Sequence, residues 1–369
     1  MALTLTDEQH QLASAVAAFL DKRSPEAEVR RLMDDGAAAD PSVWAQLSGQ
    51  LGLPGLIVPE QYGGGGFTFL DFALVAERAG AALLVGPLLS TVTAASALML
   101  ADDDDLKATY LPGLAAGDRI GTLALAEQSG NWDTSTVDTT AQSSGDGHVQ
   151  LTGIKTYVVD GQHADLFVVS ARGPEGSTNL YVVQADSPEV TVTALGTMDM
   201  TRPQAQLEFA SAPGRLLSDE PAVVERVAAT AAILLTAEQV GGAQRCLDMA
   251  VEYAKVRVQF GRPIGAFQAI KHKCADMLLD VESARSAAYY AASVLDDGSD
   301  NPLVAAALAK AHCSAAYTRV AAENIQIHGG IGFTWEHPAH LYYKRAKTSE
   351  LLFGDPAWQR ARLADLIGI

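Results

Sequence analysis

Between about residue 121 and residue 218 the chain drops a helical rhythm for short β-branched runs, and from Ala222 onward it takes the helical rhythm up again. Val149-Gln-Leu-Thr-Gly153, Leu166-Phe-Val-Val-Ser170, Leu180-Tyr-Val-Val-Gln184 and Val190-Thr-Val-Thr193 are separated by Gly, Asp and Pro. That texture predicts a small all-β region, because β-branched residues fit a pleated surface and the punctuating residues turn the chain. Pro213-Gly214 and Pro221 are expected to mark its end. A helical block, a β block and a second helical block in one chain exclude a doubly wound parallel sheet, which needs strands and helices to alternate.

The flanking blocks carry helix signals. Thr6-Asp7-Glu8-Gln9 opens a first helix, with Thr6 or Asp7 available to cap free amides, and Leu12, Val16, Phe19 and Leu20 follow at helical spacing. Pro41 to Leu51 predicts a second helix, stopped at Gly52-Leu-Pro-Gly55. Pro59-Glu-Gln-Tyr-Gly-Gly-Gly-Gly66 can only be a loop, and Phe69 to Ala79 resumes the helical pattern. Beyond the β region, Val223 to Lys255, Phe267 to Leu295 and Pro302 to His328 predict long helices. Breaks fall at Gly261-Arg-Pro-Ile-Gly265 and Gly329-Gly330, and a last helix follows Pro338. The acidic run Asp102 to Asp105 is expected in a solvated loop or a helix cap. A chain of 369 residues exceeds one ordinary core. The expected α+β multidomain division is 1–120 helical, 121–220 β and 221–369 helical.

A formal charge of −18 argues against nucleic acid and against anionic membranes as partners. The longest mostly apolar run, Val227 to Leu235, is far below the ~20 residues of a membrane span. Leu3, Thr4 and Leu5 lead directly into acids, so no leader peptide is expected. Cys246, Cys274 and Cys313 are odd in number with no CxxC spacing, which predicts neither a disulfide frame nor a metal site and fits a reducing cytoplasm.

Four short motifs in order then carry a family resemblance. Arg257-Val-Gln-Phe-Gly-Arg-Pro-Ile264 with Phe267-Gln-Ala-Ile-Lys-His272 is similar to one acyl-CoA dehydrogenase signature. Gln326-Ile-His-Gly-Gly-Ile-Gly-Phe333, followed by Pro338 and Lys344-Arg-Ala-Lys347, is similar to a second, and Pro59-Glu-x-Tyr-Gly-Gly64 resembles that family's N-terminal loop. The resemblance implies the acyl-CoA dehydrogenase fold: an N-terminal helical domain, a middle β-barrel-like domain and a C-terminal four-helix bundle. It also implies FAD shared between subunits, with the ring on one subunit's β domain and the adenosine pyrophosphate on its mate's helices. On the matching positions, Arg257, Phe260, Gln268, Gln326, Gly329 and Gly330 become the expected cofactor-binding residues. Arg257 can offer a planar fork to phosphate, and the glycines permit close backbone approach.

Against that pattern the chain departs in three places. The family's usual catalytic glutamate follows a Tyr in Tyr-Glu-Gly-Thr; here Phe353-Gly354-Asp355-Pro356 stands instead, so Gly354 occupies the glutamate position without a side chain to take a proton. A minority of the family places the glutamate twenty-six positions ahead of the Arg of the first signature, and counting back from Arg257 lands on Ala231. Glu238, seven residues on, reads as a packed helix acid. The β-region flavin motifs are altered as well, to Ala126-Glu-Gln-Ser-Gly-Asn-Trp-Asp133 and Lys155-Thr-Tyr-Val-Val-Asp160, with Val159 where a hydroxyl would reach the flavin edge. Finally, the Thr and Gln after the catalytic loop are Pro356 and Trp358.

The expected catalytic set is therefore empty. The half-site for the chain's own flavin ring is degraded, and the half-site lent to a partner is intact. That asymmetry resembles the non-catalytic subunit of bacterial α2β2 acyl-CoA dehydrogenases acting on CoA thioesters of sterol side chains, as do Met198-Asp-Met-Thr-Arg-Pro203 and Gly330-Ile-Gly-Phe-Thr-Trp-Glu-His337. The implied partners are a catalytic subunit, an acyl-CoA and electron-transferring flavoprotein. Two alternatives stay open at this stage: a self-sufficient homotetramer using Asp355, Glu238 or a water as base, and a flavin-free structural homologue.

Overall fold

The computed structural model describes residues 4–145 and 148–369; Leu3, used above in reading the N-terminus, lies outside them. Among the described residues six α-helices come first: α1 (Asp7–Arg23), α2 (Glu26–Asp35), α3 (Pro41–Gly49), α4 (Phe69–Ala81), α5 (Leu88–Met99) and α6 (Asp104–Ala116). Thr6 caps α1 in a reciprocal box, its hydroxyl accepting from the Gln9 amide at 3.2 Å while the Gln9 side chain accepts from the Thr6 amide at 3.0 Å. Asp103, inside the acidic run, caps α6 by accepting from the Leu106 amide at 3.0 Å. Seven strands follow: β1 (Gly121–Ala124), β2 (Thr140–Gly145), β3 (His148–Val159), β4 (Leu166–Arg172), β5 (Thr178–Gln184), β6 (Val190–Leu195) and β7 (Gln204–Ser218). The C-terminal helices are α7 (Pro221–Val256), α8 (Gln268–Asp297), α9 (Pro302–His328), α10 (Ala339–Leu351) and α11 (Pro356–Ile367).

The seven strands form one sheet in the order β1-β4-β2-β3-β7-β5, with β6 on β7 and β5 returning to β4. That return closes a ring, so the sheet is barrel-like. Only β1 on β4 and the single Thr140–Arg172 contact of β2 on β4 are parallel; the rest pair antiparallel. Inward side chains such as Leu151, Phe167, Val169, Tyr181, Leu207 and Phe209 make its core. Pro213-Gly214 does not end the β region: both lie inside β7, where Pro213 stands opposite Gln150. The register slips just before them, at Ser211 with φ +62°, and a bulge of that kind admits a proline to a strand that otherwise could not donate its ladder bond.

The elements gather into two compact units that do not follow chain order. One contains Leu32–Phe72 and Val85–Ala231, hence the whole sheet together with α3, α5 and α6. The other contains the chain up to Arg31, Ala73–Leu84 and Ala232–Ile369. In this second unit the helices meet at very short range. A Cβ on Gly241 would lie 1.8 Å from the Glu77 carbonyl oxygen, and one on Gly80 would lie 2.0 Å from that of Glu238. The crossing of α4 and α7 thus requires glycine on both sides. Buried Glu77 then draws α8 in, accepting from Arg285 and, at 2.6 Å, from the Tyr289 hydroxyl. Among the described residues no helix is long and apolar enough to cross a membrane.

Candidate functional site

The six expected cofactor-binding residues fall at helix ends of the second unit, and all are exposed. Arg257 follows the last residue of α7. Phe260 sits at the tip of a hairpin made by β8 (Val258–Gln259) and β9 (Arg262–Pro263), and Gln268 begins α8. Gln326 lies in the last turn of α9, and Gly329 ends that helix at φ +65°. The two clusters are joined by rings: Tyr253, whose carbonyl accepts from the Arg257 amide at 2.9 Å, stacks on His328 with centroids 4.3 Å apart. His328 in turn lies 4.2 Å from His337, so the end of α7, the end of α9 and the following loop are packed as one edge.

That edge is built to be covered. Phe260 adopts φ +51°, a left-handed conformation that costs a bulky side chain free energy, and it is 90% exposed. Val256 and Val258 are exposed beside it in sequence, and Ile331, Phe333 and Trp335 are exposed just after Gly329-Gly330. A Cβ added at Gly329 or Gly330 would meet nothing within 4 Å, so the backbone there is open to a bulky group. A guanidinium, an amide side chain and uncovered backbone on one apolar edge fit a phosphate-bearing, partly apolar ligand such as the adenosine pyrophosphate half of FAD.

Among the described residues, no carboxylate stands free at the positions where the resemblance would place a base. Gly354 is buried at φ +91°, and a Cβ there would lie 2.3 Å from Cε3 of Trp358. Asp355 is the N-cap of α11: its Oδ1 accepts from the amides of Ala357 and Trp358, each at 2.8 Å. Ala231 is fully buried in α7. Glu238 is also buried and accepts from Arg345 at 2.8 Å, a pairing that links α7 to α10.

In the sheet-containing unit the flavin-motif loops are closed on themselves. Lys155 is fully buried and donates to Glu127, to the Leu125 carbonyl at 3.1 Å and to Ser170 Oγ at 3.0 Å. Burial pulls its amine down to about 8 in spite of the Glu127 charge beside it. Glu127 also accepts from Thr139 Oγ1 at 3.1 Å. Asp160 accepts from Ser90 Oγ at 2.6 Å, and the Val159 carbonyl accepts from Thr122 Oγ1 at 2.6 Å. These residues tie β1, β3 and α5 together, and Val159 itself presents no hydroxyl.

Lys310, outside the family motifs, is also fully buried. Its amine donates to Ser314 Oγ at 2.9 Å, the Glu350 carbonyl at 3.0 Å and the Gly354 carbonyl at 3.2 Å, and burial lowers it to about 7. The signal was present: a single charge inside Ala305-Ala-Ala-Leu-Ala-Lys-Ala311 faces a core on at least one side, and a lysine there must find oxygens. Among the described residues no group of three or more His, Cys, Asp or Glu side chains is placed to hold a metal ion.

Known proteins align along almost all of this chain. The acyl-CoA dehydrogenase N-terminal domain family matches residues 6–118, and the acyl-CoA dehydrogenase C-terminal domain family matches residues 215–368. Acyl-CoA dehydrogenase IpdE2 of Mycobacterium tuberculosis is 37% identical over 355 residues, covering 96% of this chain and 95% of the relative. A chain of the ChsE4–ChsE5 complex from Mycobacterium tuberculosis superposes at TM-score 0.92 with 31% identity, covering 100% of this chain and 99% of that one. A variant of the Tcur3481–Tcur3483 steroid ACAD also superposes at TM-score 0.92, with 30% identity and 99% of each chain covered. With both family domains matched in place around the barrel-like sheet, the chain belongs to the acyl-CoA dehydrogenase family.

Proposed function

We propose that this chain is the subunit of a heteromeric acyl-CoA dehydrogenase that carries no base, and that it lends the pyrophosphate half of an FAD site to a catalytic partner. The observation that carries the reading is the pairing of an outward, uncovered edge around Arg257, Phe260, Gln268, Gln326, Gly329 and Gly330 with the absence of a usable carboxylate at 354, 355, 231 or 238. When bound, FAD would supply a hydride acceptor, and a carboxylate of the partner would take the α-proton, giving a trans-2-enoyl-CoA. In that arrangement Arg257 holds phosphate charge, Phe260 covers an apolar ring face, and Gly329 and Gly330 let the backbone come close.

The names of two similar proteins, a steroid ACAD and a two-component complex, favour a steroid side-chain CoA thioester as substrate and a heterotetramer as assembly. Electron-transferring flavoprotein would then take the electrons. Expressed alone, the chain is expected to be pale or insoluble and to turn yellow when co-expressed with its partner. A chain that is yellow and active by itself would replace this reading with a homotetramer using a non-standard base. A chain that stays colourless with every acyl-CoA dehydrogenase partner of its host would identify a flavin-free homologue.

A further inference from the structure

The positions at which this chain departs from the family's base loop are packed against one another. The Trp358 ring lies against Gly354, Pro356 opens α11, and Asp355 caps the amides of Ala357 and Trp358. The Gln359 side chain donates to the Phe353 carbonyl at 2.6 Å, while Lys310, from α9, holds the Glu350 and Gly354 carbonyls. Arg362 lies 5.4 Å from the centre of the indole. Any side chain at 354 would begin 2.3 Å from Cε3, 2.8 Å from Cζ3 and 3.1 Å from Cδ2 of Trp358, well inside the roughly 3.5 Å at which carbon atoms touch.

We propose that Trp358 is a plug, occupying the space that a side chain at 354 would need, and that Lys310 is the positioning residue that keeps the plug seated by clamping the loop's carbonyls. The inference deepens the reading above, resting on Gly354 as the base position. A carboxylate there cannot be restored by one substitution: the indole excludes it. Loss of the base and gain of the indole are one packing solution, which commits this chain to a base borrowed from elsewhere.

The test is a double-mutant cycle on the full chain, in whatever assembly it purifies, with thermal midpoints as readout. G354A meets both the indole and the φ +91° backbone, whereas in a W358A background only the backbone strain remains; the strain therefore cancels in the cycle. G354A is expected to lower the midpoint by roughly 4–8 °C with Trp358 present and by less than half of that without it. Equal losses in both backgrounds would overturn the plug. If W358A does not fold, W358L removes the same ring atoms and closes the same cycle. As a direct arm, G354E alone is expected to lose most of its soluble yield, and G354E with W358A to recover it; a soluble G354E with an unchanged midpoint would refute the exclusion. K310M is expected to raise acrylamide quenching of Trp358 emission, taken as the difference from W358F, and unchanged quenching would remove Lys310 from the device. None of these measurements depends on whether the chain is yellow alone or only with a partner, so they can fail while the heteromer reading stands, or the reverse.

Discussion

The two regions that a family flavin site draws on treat their polar groups in opposite ways. Around the barrel-like sheet, Lys155, Glu127, Asp160 and Thr122 are turned inward and engaged by other residues of the same chain. At the ends of α7 and α9, Arg257, Gln268, Gln326 and the open glycines face outward on an edge of exposed apolar side chains. On the proposed reading, the difference teaches how one half of a shared site can be lost without loss of fold, because the inward groups also hold strands together. The outward arginine and the strained, solvent-facing phenylalanine are the groups that a ligand or partner would cover.

The sharpest way to break this comparison is to remove Lys155. Lys155→Met leaves Glu127 buried with its cation gone, and deleting one member of a buried pair typically costs about 3–5 kcal/mol. Denaturant unfolding should show a loss of that order, with Lys155→Met/Glu127→Gln markedly milder. A loss below about 1 kcal/mol would mean that the pair does not hold the loops, because that is no more than an exposed pair contributes.

The outward edge predicts the complementary result. Arg257→Ala should leave the fold intact and weaken FAD binding by the reconstituted complex by roughly 1.5–3 kcal/mol, the worth of a hydrogen bond to a charged group. Flavin titration that finds unchanged affinity would reassign the half-site.

A smaller effect, dependent on pH, distinguishes the buried lysines. Below about 7 the Lys310 amine is charged both folded and unfolded, so the cost of burying it is carried in full. Between about 7 and 10.5 the folded amine is already neutral while the unfolded one still holds its proton, so stability rises with pH through that window. Lys310→Met should remove a slope of at most about 1.4 kcal/mol per pH unit, the limit for one proton. Lys155 acts with the same sign over the narrower span from about 8 to 10.5. A slope unchanged in Lys310→Met would reject this ionisation.

The smallest effects are expected at Asp355 and Glu238, the two carboxylates weighed as alternative bases. Asp355→Asn keeps a capping oxygen, and Glu238→Gln keeps a hydrogen-bonding partner for Arg345, so turnover of a fully assembled, flavin-loaded complex should change less than about threefold in either variant. Removing a true general base would cost on the order of 10²–10⁴. The extent of assembly must be measured first for Glu238→Gln, since that residue also links α7 to α10.

What the sequence determined by itself is local and patterned. Thr6 and Gln9 specify their cap within four residues, Pro302 to His328 bounds α9 as observed, and the β-branched runs at 149, 166, 180 and 190 became strands. Arg257, Gln326 and the glycine pair were legible because their spacing matches family motifs, and Gly354 because a missing side chain is visible in the letters alone. Only the tertiary structure decided the rest. It placed Pro213 inside a strand through a bulge at Ser211, set Phe260 in a left-handed turn, and seated Trp358 where a side chain at 354 would stand. It also brought Lys310 to carbonyls 40 and 44 residues away. Capping, turning and periodicity depend on neighbours within a turn or two, so the sequence displays them directly. Which atoms fill a given space depends on chain segments far apart in sequence, and that is settled only when each core closes.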